Sequence, residues 1–121
     1  MKDRIFATVI FLTVIVFSIS NSLFLVKETD EMILALEGLQ ASDGQAMSRL
    51  MEIDEGFRKK ANYIGLTVSH DDLTNIEDCL AELKGHLAVG DIEGAEVTKS
   101  RLIRFLEHLR RLVGFNIDNI I

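Results

Sequence analysis

The sequence contains no proline and no tryptophan, a single cysteine and a single tyrosine, and it carries no charge between Ile5 and Val26. Each scarcity excludes something. One cysteine, Cys79, cannot build an internal disulfide framework or a multi-thiolate metal centre. Without proline, no helix is broken by a missing amide donor and a blocked turn. At 121 residues the chain has room for one compact domain, so separate catalytic and cofactor domains are excluded. With 13 basic against 19 acidic residues, the net charge is −6 and the pI about 5.0, which argues against nucleic acid as a partner. No glycine-rich phosphate loop or nucleophile-elbow motif occurs, and no Ser-His-Asp or Cys-His order stands in such a context. The expectation is a protein that is not an enzyme, with no catalytic residue and no cofactor.

What the sequence does have is unevenly placed. The mean hydropathy of +0.22 is high for a small chain, and four of the seven phenylalanines (Phe6, Phe11, Phe17, Phe24) lie before residue 27. Residues 5–26 hold 15 Ile, Leu, Val or Phe residues. As a helix this stretch would be about 33 Å long, enough for a hydrocarbon core of about 30 Å. Its apolar side chains contribute roughly −4.5 to −9 kcal/mol toward insertion. The strongest part, Ile5 to Phe17, also has the length of a signal-peptide core, with Ser18 and Ser20 available for cleavage. The resumption of apolar residues at Leu23–Val26 favours a retained anchor. No cysteine follows the stretch to take a lipid.

The sequence thus divides into an anchor or signal over 1–26 and a domain over 27–121, with the lipid bilayer as partner of residues 5–26. Lys2 and Arg4 precede the segment, whereas Lys27 is followed by Glu28, Asp30 and Glu31. This asymmetry predicts a single-pass protein with a cytoplasmic N-terminus and an extracytoplasmic domain, secreted if the segment is cleaved. Setting aside Lys2, Asp3 and Arg4 leaves 11 basic and 18 acidic residues, a net of −7. Such a domain is repelled by anionic headgroups rather than attracted to them.

Residues 27–121 read as four helices. The first runs from about Lys27 to Gln40 with Met32, Leu36 and Leu39 on one stripe, and continues directly from the anchor because neither Pro nor Gly separates Phe24 from Met32. Ala41-Ser42-Asp43-Gly44 then supplies turn and cap residues. The second places Ala46, Leu50, Ile53, Phe57, Ala61 and Ile64 at helical spacing and ends at Gly65 and Thr67–His70. Ser69 and Asp72 suit a capping box for the third, whose seam is Leu73, Ile76, Leu80, Leu83 and Leu87. Val89-Gly90-Asp91 breaks the chain. The fourth shows Ala95, Leu102, Phe105, Leu109 and Leu112, flanked by Leu106 and Val113, with Gly114 as C-cap and Phe115, Ile117, Ile120 and Ile121 as an apolar tail. The fold class is all-α: an N-terminal transmembrane or signal-anchor helix, then an antiparallel bundle of about four helices. A faint echo between residues 39–46 and 87–95 supports two helical hairpins rather than a solenoid.

The stretch His70-Asp71-Asp72-Leu73-Thr74-Asn75-Ile76-Glu77-Asp78-Cys79-Leu80-Ala81-Glu82-Leu83 resembles the bacterial family of unknown function numbered 4363, found in clostridia and related spore-forming Gram-positive bacteria. The likeness extends to Gly90-Asp91 through Ala95 and to Asn116-Ile117-Asp118-Asn119-Ile120. It implies a hydrophobic N-terminal segment followed by an acidic helical domain, in the cell envelope, without an established activity. Phe57 and Gly44 stand where that family commonly has tryptophan, and Thr74 where it usually has aspartate.

Among polar residues, His70, Asp71 and Asp72 are the candidate ligands for a metal or small molecule, since imidazole and carboxylate both bind divalent ions. The competing reading is that all three start a helix, the two acids complementing its dipole. His86 lies 16 positions from His70, about 24 Å along one helix, so the two cannot share an ion. Cys79 reads as a small core filler. Phe57 and Tyr63 read as core. Arg101, Arg104, Arg110 and Arg111, interspersed with Glu96 and Glu107, read as a solvated, salt-bridged face. The functional expectation is a membrane-anchored, non-catalytic module that contacts an unknown protein; the alternative is an envelope protein that binds a ligand or metal around His70.

Overall fold

The computed structural model describes residues 2–64 and 69–120, with side chains except those of 62–64 and 114–120. It contains α1 (Lys2–Glu37), α2 (Ala46–Ile64), α3 (His70–Ala88) and α4 (Ile92–Ile120), and no strand among the described residues. The all-α reading and the four helices are thus as the periodicity indicates.

α1 is one unbroken helix of 36 residues, because nothing in it removes a donor or relaxes the backbone before Gly38. It is long and apolar enough to cross a membrane. Its two halves have different surroundings. Residues 2–17 are exposed except for the half-buried Ile15. From Ser22 onward a stripe of Ser22, Leu25, Thr29, Ile33 and Leu36 is buried against the bundle. Burial therefore begins inside the apolar stretch, before Lys27. The buried Thr29 hydroxyl donates to Leu25 O at 2.7 Å, the bond to the preceding turn that lets a hydroxyl sit in a core.

The other helices bury the faces their spacing marks. α2 contributes Ala46, Leu50 and Phe57, and α3 contributes Ile76, Leu80 and Leu83. Each fully buried Leu or Ile is worth about 1.5–3 kcal/mol relative to exposure. Ser69 caps α3 in extended geometry, its Oγ accepting from Asp72 N at 3.2 Å. Asp43 starts α2, accepting from Gln45 N at 3.0 Å. Gly90, at φ +73°, turns the chain after α3 in the left-handed conformation that favours glycine. Beyond it Asp91 Oδ1 accepts from Gly94 N at 2.9 Å and caps α4.

Two readings of α4 are corrected. Its core stripe is Ala95, Thr98, Leu102, Leu106, Leu109 and Val113, whereas Leu112 is 49% exposed. The adjacent apolar positions could set the phase either way, and packing on α1 and α3 selects the second. Gly114 is not a C-cap, because α4 continues through it to Ile120. Gly65, Thr67 and Val68, the side chains of Tyr63 and Ile64, and those of the apolar tail lie outside the described residues.

α4 packs most extensively, against both α1 and α3; α2 packs on α3, and α1 and α2 touch least. Cross-links set the directions. Arg110 pairs with Asp30, and Lys99 Nζ donates to Leu39 O at 2.8 Å. Moving up α1 therefore moves back down α4, so the two are antiparallel. α2 and α3 are tied likewise by Asp54 and Lys84, and α3 and α4 by Glu82 and Arg101. The helices form a ring in which the α1–α2 seam is the loosest.

Candidate functional site

The loose seam is a cleft. It has a volume of about 270 Å³, with walls from α1 and α2 and a floor reaching Ile76 of α3 and Leu106 and Leu109 of α4. Leu25, Met32 and Ala35 line the α1 wall, and Ile53, Gly56 and Phe57 the α2 wall. Met32, Ile53 and Phe57 lie on the stripes that hydrophobic periodicity turns inward, so the sequence builds apolar faces that the fold brings near one another without closing. Two of the wall residues are small. A Cβ added to Gly56 would meet nothing within 4 Å, so open space, not packing, occupies that point.

Polar groups stand at the lip. Glu28 and Glu31 flank it on α1, and Glu52 and Lys60 on α2. Lys60 Nζ donates to Glu28 Oε2 at 2.5 Å, linking the two walls. That hydrogen bond holds the Lys60 ammonium above the usual lysine range despite some desolvation, and Glu31 adds to the effect. With Lys60 committed to Glu28, neither Glu31 nor Glu52 forms an ion pair among the described residues. The site is chemically simple: an apolar trough with free carboxylates on facing edges.

The candidate ligands His70, Asp71 and Asp72 sit elsewhere, in the first turn of α3. His70 and Asp71 are exposed and Asp72 is half-buried. Their backbone is engaged in the helix start: Asp72 N donates to Ser69, and His70 O accepts from Thr74 Oγ1 at 2.9 Å. Among the described residues, no three His, Cys, Asp or Glu side chains converge on a point that could hold a metal. His86 lies at the far end of α3, its Nδ1 3.0 Å from Asp91 Oδ2 in the turn to α4. That contact depends on Gly94, where a Cβ would lie 2.6 Å from His86 Nδ1. The Gly94 amide, with a contribution from His86, holds the Asp91 carboxyl below its ordinary range.

Cys79 is half-buried and packs against the core cluster. Phe57 is in the core. The arginine face is salt-bridged in part, but across helices: Arg101 pairs with Glu82 of α3 and Arg110 with Asp30 of α1. Glu96 pairs with Lys99, not with an arginine. Sequence periodicity did not reveal the cleft, because it reports which face of a helix is apolar and not how closely two such faces approach. Gly56, a helix-interior glycine next to the core residue Phe57, was the available signal. No family model, no curated protein and no solved structure matches the chain.

Proposed function

We propose that this chain is a membrane-anchored helical module whose bundle stands on the extracytoplasmic side and works by contacting another protein, without catalysis. The observation that carries the reading is the continuity of α1: an exposed apolar stretch over residues 5–17 runs without a break into a half that is packed in a bundle. The exposed apolar side chains have no neighbours to bury them among the described residues, and lipid supplies that environment. The distribution of Lys2, Arg4, Glu28, Asp30 and Glu31 supports the outward orientation. The apolar cleft with carboxylates at its lip supports a binding role over a chemical one. The resemblance to family 4363 adds an envelope setting to this proposal.

Two measurements test it together. After alkaline extraction the full chain is expected to remain in the membrane, with residues beyond 27 digested by protease added to the outer face. Crosslinking in those membranes is expected to give one dominant protein adduct. A mature chain starting near Asn21, or protection from external protease, overturns the anchored and outward reading; no adduct at any growth stage overturns the contact reading.

A further inference from the structure

We infer that the α1–α2 cleft is the docking groove for a basic amphipathic helix of a partner protein, an assignment that rests on the contact reading above and names its site. The length of the cleft is the first support. Its α1 wall extends from Leu25 to Ala35, which is about 15 Å along the helix axis. Apolar anchors at i, i+4 and i+7 of a bound helix span about 10.5 Å, so three fit. The width is the second. Ala35 and Gly56 leave the walls low, and open space lies where a Gly56 side chain would project. A helix laid between α1 and α2 can therefore place its anchors between Met32 and Ala35 of one wall and Ile53 and Gly56 of the other, above the buried floor of Phe57, Ile76 and Leu106.

The charge of the lip selects the occupant. Glu31 and Glu52 stand on opposite edges without a cation of their own, and the residues beyond the N-terminal tetrapeptide carry a net of −7. Lysines or arginines flanking the apolar stripe of a docked helix would pair with both edges, whereas an acidic helix would be repelled by them. A chain from an anionic lipid would meet the same repulsion at its headgroup.

The test uses the full chain in phosphatidylcholine nanodiscs with ¹³C-methyl methionine. Met32 lines the cleft and the exposed Met51 does not, so they serve as reporter and control. The probes are two synthetic helices of about 14 residues, two heptads each, sharing one leucine stripe and differing in having lysine or glutamate at the remaining positions. The Met32 resonance should move saturably with the lysine peptide and stay fixed with the glutamate peptide, while Met51 is unaffected by either. The double variant E31Q/E52Q should bind the lysine peptide about tenfold more weakly. G56L, which fills the trough, should abolish the Met32 response while circular dichroism shows the helices intact; if it unfolds, the double variant alone decides. A Met32 resonance that is static, that follows both peptides equally, or that responds instead to the nanodisc lipid chains overturns the assignment. If G56L still yields the dominant crosslinked partner in membranes, the contact reading stands and the cleft falls. If the wild-type chain yields no partner, the contact reading itself falls.

Discussion

Lys84 of α3 donates a hydrogen bond to the Asp54 carboxylate of α2, which also accepts from Arg58 Nε at 3.1 Å one turn along its own helix. Asp54 is 7% exposed, so among the described residues this is the most enclosed ion pair between two helices. Burial pushes its carboxyl upward, but the hydrogen bonds from Lys84 and Arg58, aided by their charges, outweigh it and hold the group below the ordinary aspartate range. A lowered folded value gives stability that is complete above the unfolded aspartate value of about 3.9 and is lost as pH falls through the folded value. Denaturant titrations should therefore show that wild type loses more stability than Asp54→Asn on going from neutral pH to below about 4. At neutral pH, Asp54→Ala should cost about 1.5–3 kcal/mol, the range for a charged hydrogen bond. Arg58→Ala, whose side chain is mostly in water, should cost less than about 1 kcal/mol.

The connection between α1 and α2 is held by α4. Ala41 N donates to Glu96 Oε1 at 3.1 Å, and Lys99 donates to Leu39 O at 2.8 Å while pairing with Glu96 at 2.9 Å. Lys99, then the Ala41 amide, keep the Glu96 carboxyl below its ordinary value. Replacing Glu96 by Ala should speed hydrogen exchange at the Ala41 amide and cost about 1 kcal/mol, discounted for partial exposure. Glu96→Gln should retain most of the amide protection because it retains an acceptor. Exchange at Ala41 in wild type should accelerate beyond the intrinsic pH trend as pH drops through the lowered glutamate value, and an unchanged protection factor would contradict the bond.

Gly90 supplies a backbone conformation, not a space. Nothing lies within 4 Å of where its Cβ would be, yet its φ is +73°. Gly90→Ala should therefore cost about 1–2 kcal/mol through backbone strain alone, and Gly90→Asn less, since asparagine tolerates that region. Equal midpoints for the alanine and asparagine variants in thermal unfolding would show that the turn relaxes instead.

Truncation should distinguish the two halves of α1. A chain beginning at residue 18 removes only side chains outside the bundle core and should keep its folded midpoint in denaturant. A chain beginning at residue 27 also loses Leu25, which is 3% exposed and lines the α1 wall of the cleft. That loss should cost about 1.5–3 kcal/mol before any fraying of the shortened helix.

Local signals were strong where a residue acts within its own helix. Ser69 announces the start of α3, Gly90-Asp91 marks the turn, and the spacing of Leu50, Phe57, Ile76, Leu80 and Leu83 identifies faces that are buried. The phase of α4 was less legible, because Phe105, Leu106, Leu109, Leu112 and Val113 offer two overlapping stripes, and only the position of α1 and α3 selects Leu106 and Val113. Buried Asp54 was invisible for a related reason: a polar residue enters a core when a partner from another helix satisfies it. The cleft depends on the separation of two helices, a quantity that no single-helix periodicity contains.

Because α1 has no joint between its exposed and packed halves, it transmits bearing as well as position. Each residue of a helix turns the chain by about 100°. One residue inserted among Ser18–Asn21 would swing the whole bundle, and the compass direction of the α1–α2 opening, by that angle about the helix axis. A seven-residue insertion, nearly two full turns, would raise the bundle by about 10 Å and restore its heading almost unchanged. If α1 is anchored as proposed, a partner held in the same membrane would meet a fixed azimuth, set by the count of residues below Ser22.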